Sequence, residues 1–261
     1  MIYNTKQINR FGNQIRYMEW ERQNRLRIPF EKNFKFVLKN YFKKLASDVE
    51  ENYLTGNEVY FEIGLNNSFK TLSNIFRIQY NIIARAFKNF SLNRTQHTKD
   101  FDTEFEIALA QYIDGNVGTL VMGINETTRK RIQDEIANSL NNNLDIPTTS
   151  KNLRNMLIGF GLWRATLIAR TEVHRTASWA NEQTALQMNI AGTIKEWVAV
   201  QDDRTRITHA VADGQKQNIE SKVAIGGDLL KYPGDPMGSP EETINCRCVV
   251  TYTTPDYFVN T

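Results

Sequence analysis

The chain has 261 residues, which is long enough for one large domain or two smaller ones with a substantial buried core. Its net charge of +3 permits contact with DNA but does not predict it, because dedicated nucleic-acid modules concentrate more charge on one face. It has no long apolar run, no secretory signal and only two cysteines, which excludes a membrane-spanning protein and a disulfide scaffold and predicts synthesis in a reducing cytoplasm.

Residues 1–30 are polar and rich in Asn, Gln and Arg. We interpret them as a partly ordered arm that docks on a partner or on the protein itself. A basic arm that contacts nucleic acid is the alternative, although Glu19 and Glu21 interrupt its positive charge. The candidate DNA-contacting residues are Arg10, Arg16, Arg22, Arg25 and Arg27.

The stretch from residue 34 to about residue 190 predicts consecutive α-helices, because apolar residues recur every three or four positions. Three glycines between 115 and 123, and Pro147 after an Asn-rich run, predict breaks between them. The predicted helices span about residues 34–49, 68–90, 101–113, 126–140, a short segment from 149 or 150 to near 159–161, and 162–190.

After Gly192 the pattern changes to β-strands and turns. We predict a strand at 193–201, a short helix at 203–212, a turn at Asp213-Gly214 and a final strand at 244–253. The predicted fold class is therefore α+β. A mostly α-helical region at 1–160 is followed by a small α+β cassette with a short sheet at 161–261.

Three side chains in this cassette are potential zinc ligands: His209, Cys246 and Cys248. Structural zinc needs four ligands, usually with a C-x2-4-C pair, and C-x-C departs from that spacing. His174 supplies a fourth ligand only if the long helix packs over the end of the strand. If both cysteines lie in the closing strand, they share one face about 7 Å apart, too far for an easy disulfide. We therefore predict two reduced thiols in a small core, with no metal and no cofactor.

Charged residues in the cassette are nearly balanced in sign. This favours internal Arg–carboxylate pairing over phosphate binding. We predict a structural polar network formed by Arg170, Glu172, Asp203, Arg204, Arg206, His209 and Asp213. A cysteine hydrolase is the enzymatic alternative, but the sequence near Arg247 shows no oxyanion hole.

The order and spacing of several short motifs resemble the signature of the phage Mu F-like minor head proteins, also called head morphogenesis proteins. The resemblance covers about Ala165 to Tyr252. The motifs are Ala169–Val173, Trp197, Asp203–Arg206, His209, Asp213-Gly214 and Asn245–Cys248. Many relatives have a His-Pro pair before Asn-Cys-Arg-Cys. Here Thr243-Ile244 takes that place, which removes one potential metal ligand.

The resemblance implies a minor component of a tailed-phage head, present in few copies and associated with the portal. Such a protein influences genome packaging, retention or ejection. The implied partners are the portal protein, the inner capsid or scaffold, and packaged double-stranded DNA. The implied location is the interior of the virion head, after assembly in the host cytoplasm. Some relatives carry fused toxin or transferase domains, and we expect no such domain after this cassette.

We therefore expect a non-enzymatic virion protein whose helical region docks on the portal or capsid. One alternative is an enzyme that uses the C-terminal Arg, Glu, His and Cys residues, either a cysteine hydrolase or a nucleotide-dependent transferase. The other alternative is a zinc-stabilised binding module.

Overall fold

The computed structural model describes residues 2–56, 58–92 and 99–255, with side chains described for 14–56, 61–92 and 101–255. In chain order the elements are β1 (Ile2–Asn4), α1 (Thr5–Leu54), α2 (Glu58–Leu92), α3 (Lys99–Asn141), α4 (Ile146–Gln187), β2 (Ile194–Val198), α5 (Ile207–Ala212), β3 (Lys216–Asn218), β4 (Val223–Ile225), β5 (Asp228–Leu230), α6 (Pro240–Thr243) and β6 (Val249–Thr254). Long helices followed by short strands confirm the predicted α+β class.

The predicted partial order of the N-terminal arm was wrong, because residues 5–30 are part of the 50-residue helix α1. The arm does dock on the protein itself, as one of the two predicted possibilities stated, through hydrogen bonds to the C-terminal region. Trp20 Nε1 donates to the carbonyl of Arg247 at 2.9 Å, and Gln23 Nε2 donates to the carbonyl of Val250 at 3.3 Å. A polar sequence therefore forms an ordered helix here because its hydrogen-bonding groups find partners far along the chain.

The helix break predicted at the glycines between 115 and 123 was also wrong. Helix α3 continues through all three of them. A glycine inside a helix costs roughly 0.5–1 kcal/mol relative to alanine. Burial of the neighbouring Val117, Val121 and Ile124 outweighs that cost, since each apolar side chain contributes about 1.5–3 kcal/mol.

Helix α4 likewise runs without the predicted interruption near Gly159 and Gly161. It begins where Asp145 Oδ1 accepts a hydrogen bond from the Thr148 backbone N–H at 2.8 Å, as an N-cap does. Leu153 and Leu157 are fully buried, so tertiary packing supports the segment that the glycines weaken.

Among the described residues, the larger sheet has four strands in the order β1-β6-β2-β3. Strand β6 pairs parallel with β1 and antiparallel with β2, and β2 pairs antiparallel with β3. Strands β4 and β5 form a separate hairpin. Trp197 on β2 and Tyr252 on β6 are buried in a core that also contains Cys246 and Cys248.

The chain divides into two compact units. The first comprises residues 1–31, 80–111 and 170–261, and the second comprises 32–79 and 112–169. Both units combine segments that are distant in sequence, whereas the predicted division at residue 160 follows chain order. The division into residues 1–160 and 161–261 also assigned a function to each part, and it stays a prediction. No described helix is both long enough and apolar enough to span a membrane.

Candidate functional site

The site is organised around the loop Ile244–Cys248, which precedes β6. Asn245 has a positive φ of 56°, and its backbone N–H donates to Thr171 Oγ1 of α4 at 3.2 Å. Arg206 donates to the carbonyl of Ile244 at 2.6 Å. Since β6 begins only at Val249, the prediction that both cysteines lie in the closing strand was wrong. The loop breaks the strand alternation and allows the two sulfurs to approach.

His209 lies next to both thiols. Its Nδ1 is 3.2 Å from the Sγ of Cys248 and 3.7 Å from the Sγ of Cys246. These three donor atoms all lie within 4.8 Å of one another. All three residues are buried, and both cysteines are free thiols.

Glu242 of α6 fixes the orientation of His209. Its Oε2 lies 2.9 Å from His209 Nε2 and also accepts a hydrogen bond from Thr208 Oγ1 at 2.9 Å. An ionised carboxylate only accepts hydrogen bonds, so Nε2 carries the imidazole proton. In the neutral ring, Nδ1 then presents its lone pair to the sulfurs.

A second histidine, His174 of α4, lies beside Cys246. The guanidinium of Arg27 is 2.6 Å from His174 Nδ1. Because arginine can only donate, Nδ1 is the acceptor and Nε2 carries the proton. That Nε2 is buried, has no oxygen or nitrogen hydrogen-bond partner among the described residues, and faces the thiol of Cys246.

These contacts shift the pKa values of the two thiols in opposite directions. The neighbouring Cys248 hydrogen bond outweighs burial and, together with His174 and His209, holds the pKa of Cys246 well below its usual range. The hydrogen bond with Cys246 and burial raise the pKa of Cys248 well above its usual range. Burial lowers the pKa of His174. Burial on its own would lower the pKa of His209. The hydrogen bond to Cys246 and the charge of that residue have a larger effect, so the pKa of His209 is raised. The pair therefore favours one thiolate, on Cys246.

An arginine-rich cavity of about 430 Å³ opens beside this cluster. Five of its nine lining residues are arginines, and Glu31 is its one carboxylate. The lining residues are Asn24, Arg27, Glu31, Arg170, Arg204, Arg206, Asn245, Cys246 and Arg247. The excess of guanidinium groups suits an anion with several oxygen acceptors.

The seven residues of the predicted polar network are distributed over several contact groups. Glu172 contacts Tyr80 and Arg175, and Asp213 contacts Arg16. Within the described residues, no hydrogen bond or ion pair joins two of the seven side chains to each other. Those that line the arginine cavity are Arg170, Arg204 and Arg206, His209 lies in the thiol cluster, and Asp203 is exposed.

The candidate DNA-contacting arginines also differ in accessibility. Arg16 is engaged by Glu196 at 2.9 Å and Asp213 at 2.6 Å, and Arg27 is buried against Glu31 and His174. The Arg25 side chain is 78% exposed, and Arg22 is partly exposed. The side chain of Arg10 lies outside the described residues. Arg25 is thus the most accessible of the four whose side chains are described.

Two contacts important to this region were not assigned from the sequence. Asp202, one of the nearly balanced charged residues, binds Arg247 through two short contacts of 2.5 and 2.6 Å, and Glu242 orients His209. The C-x-C spacing could have indicated the exposure of Arg247, because a residue between two core-facing cysteines faces outward. No local pattern marked Glu242, whose role depends on the approach of α6 to α5.

Comparisons with known proteins agree with the motif resemblance. The family model described as phage Mu protein F like protein matches residues 130–251. The NAD(+)–arginine ADP-ribosyltransferase EFV of Enterococcus faecalis (strain ATCC 700802 / V583) is 37% identical over 90 residues, which is 33% of this chain. The chain matches 18% of that relative's length. No solved structure matches significantly. Over residues 130–251, the predicted resemblance to the phage Mu protein F-like family is therefore confirmed.

Proposed function

We propose that the protein is a minor head component of a tailed bacteriophage that associates with the portal and influences genome packaging, retention or ejection. The match of residues 130–251 to the phage Mu protein F-like family carries this proposal. That match supports a role in the phage head and a location in the virion. We propose the portal protein and the genome as its specific partners within the head.

The helical unit at 32–79 and 112–169 offers a surface for docking on other head proteins. Phe36, Met122 and Trp163 are each more than half exposed there. Large exposed apolar side chains in a protein–protein contact contribute most when they become fully desolvated.

Co-purification tests the portal assignment. The full-length chain is co-expressed with the portal protein of its own phage, and the tagged portal protein is recovered. We expect the chain to co-purify, and Trp163→Asp to weaken recovery while circular dichroism stays unchanged. Asp203→Asn, which changes an exposed side chain of the other unit, is the matched control. Recovery of the tagged portal protein without the chain contradicts the proposal.

We further propose that the protein is not an enzyme. The ADP-ribosyltransferase relative makes a nucleotide-dependent transferase the specific rival, but the shared region is only 18% of that relative. Burial of both thiols opposes the cysteine hydrolase alternative, since a catalytic thiolate needs substrate access. Incubation with labelled NAD+ and an arginine-containing acceptor should give no transfer. Transfer that disappears in Arg204→Ala contradicts this proposal.

A further inference from the structure

We propose that His209, Cys246 and Cys248 form a zinc site that closes the C-terminal cassette. The sequence argument against zinc depended on the C-x-C spacing and on the need for a fourth ligand. In the structure the loop Ile244–Cys248 brings both sulfurs close to His209, so the C-x-C spacing does not prevent the three donors from converging. This inference is independent of the proposed role in the phage head.

The donor spacing suits zinc. With bonds of about 2.3 Å to sulfur and about 2.0–2.1 Å to nitrogen, tetrahedral angles place neighbouring donors roughly 3.5–3.8 Å apart. The His209 Nδ1 distances of 3.2 Å to Cys248 and 3.7 Å to Cys246 bracket the expected nitrogen–sulfur separation. Soft thiolates and an imidazole are the ligands that select zinc over magnesium or calcium.

The surroundings of His209 are those of a metal ligand. Metal-binding histidines almost always donate their second ring N–H to a carboxylate, a backbone carbonyl or water. Glu242 provides that carboxylate at 2.9 Å from Nε2, and the Thr208 hydroxyl holds the same carboxylate oxygen. The proton on Nε2 leaves the Nδ1 lone pair directed at both sulfurs.

His174 has a different role because of its tautomer. Arg27 donates to its Nδ1, so its buried Nε2 carries a proton and cannot bind a metal in this arrangement. Nε2 has no oxygen or nitrogen partner among the described residues, and the thiol of Cys246 is the group beside it. A thiolate at Cys246 gives this N–H an anionic acceptor. We therefore assign His174 as a hydrogen-bond donor that positions Cys246, and not as the fourth ligand.

The fourth coordination position belongs to water. A cavity of about 20 Å³ reaches His209 and Cys248 and is also lined by Thr205 and Arg206. One water needs roughly 10–15 Å³ of such space. Zinc binding leaves both sulfurs as thiolates and releases to solvent the protons that the cluster holds without metal, with no change in oxidation state.

Elemental analysis of the full-length protein, purified without chelator, tests the site. We expect about one zinc per chain. We also expect a thiolate-to-metal charge-transfer band after exchange with cobalt. Less than about one-tenth zinc per chain, with no uptake when zinc is added, overturns the proposal. A wild-type mass lower by two hydrogens, with no titratable thiol, indicates a Cys246–Cys248 disulfide and also overturns it.

Variants define the ligand set. Cys248→Ser and His209→Gln should lose zinc, whereas His174→Gln should retain it. Glu242→Ala should still bind one zinc at saturation but with affinity reduced about 10- to 100-fold. Because a ligand variant can fail to fold, circular dichroism accompanies each measurement. The cobalt spectrum of the wild-type protein tests the site independently of the variants. Loss of zinc from folded His174→Gln, or full retention by Cys248→Ser, overturns the assignment.

Discussion

The Nζ atom of Lys195 lies 2.6 Å from Oε1 of Glu182, and both side chains are buried. The ammonium also donates to the carbonyl of Lys231 at 2.7 Å, and Tyr252 donates to Glu182 at 2.8 Å. Burial raises the pKa of Glu182, although Lys195 and Tyr252 oppose that change. This group joins α4 to strands β2 and β6.

Removing one partner of this ion pair should destabilise the first unit strongly. We expect Lys195→Met to lower the free energy of unfolding by about 3–5 kcal/mol, because the carboxylate of Glu182 is left buried without its counterion. Urea unfolding measures this. The double variant Lys195→Met/Glu182→Leu is the control and should recover most of the loss. A loss as large in the double variant contradicts the assignment to an unpaired charge.

The Asp202–Arg247 pair should make the cassette sensitive to acid. The hydrogen bond from Arg247 holds the pKa of Asp202 well below its usual range. A lowered folded-state pKa contributes stability above the unfolded value of about 3.9, and that stability is lost as the pH falls through the folded value. Asp202→Asn should therefore lower Tm at pH 7, and the difference should shrink below about pH 4. Asp203→Asn is the exposed neighbouring control. A constant difference across this range contradicts the prediction.

Two glycines of α4 should respond oppositely to substitution by alanine. A Cβ atom at Gly161 would lie 2.4 Å from Phe42 Cβ, whereas one at Gly159 would meet nothing within 4 Å. We expect Gly161→Ala to cost about 1–3 kcal/mol through overpacking. Gly159→Ala should gain roughly 0.5–1 kcal/mol from helix propensity. Thermal unfolding of both variants decides the matter, and equal effects would show that the contact with Phe42 is not limiting.

The arginine cavity, and not the exposed Arg25 of α1, should dominate any binding of DNA. We expect salt-dependent affinity, because each neutralised phosphate releases counterions. The double variant Arg170→Glu/Arg204→Glu should reduce the slope of log affinity against log salt by roughly two. Arg25→Glu should change it little. Fluorescence anisotropy with a duplex at several salt concentrations provides the measurement. Binding that is absent at low salt, or independent of salt, excludes genome contact.

The sequence predicted the strongest periodic features and the fold class. Strand β2 and helix α5 lie within the predicted ranges because local alternation and turn residues agree with the tertiary structure. The helix breaks predicted at the glycines of α3 and α4 were wrong, since helix propensity is weak compared with the burial of neighbours such as Val117 and Leu157. Local preference alone therefore could not give the lengths of these helices.

The site was only partly predictable. His209, Cys246 and Cys248 were identified as potential ligands, but their proximity depends on the loop conformation at Asn245. Burial of Gln23 and Arg27 depends on acceptors more than a hundred residues away. Such contacts leave no periodic signal, which explains why a polar helix was interpreted as an arm.

The pairing of β1 with β6 has a consequence for synthesis on the ribosome. Ile2 of β1 aligns with Tyr252 of β6. Strand β1 is therefore synthesised first but cannot pair until β6, the last strand, has been made. Until β6 is synthesised, β1 has no neighbouring strand, and an unpaired edge is open to association with other chains. We therefore expect slow, late completion of this sheet. The hydrogen bonds of α1 to Arg247 and Val250 also form only after the C-terminal residues have been made.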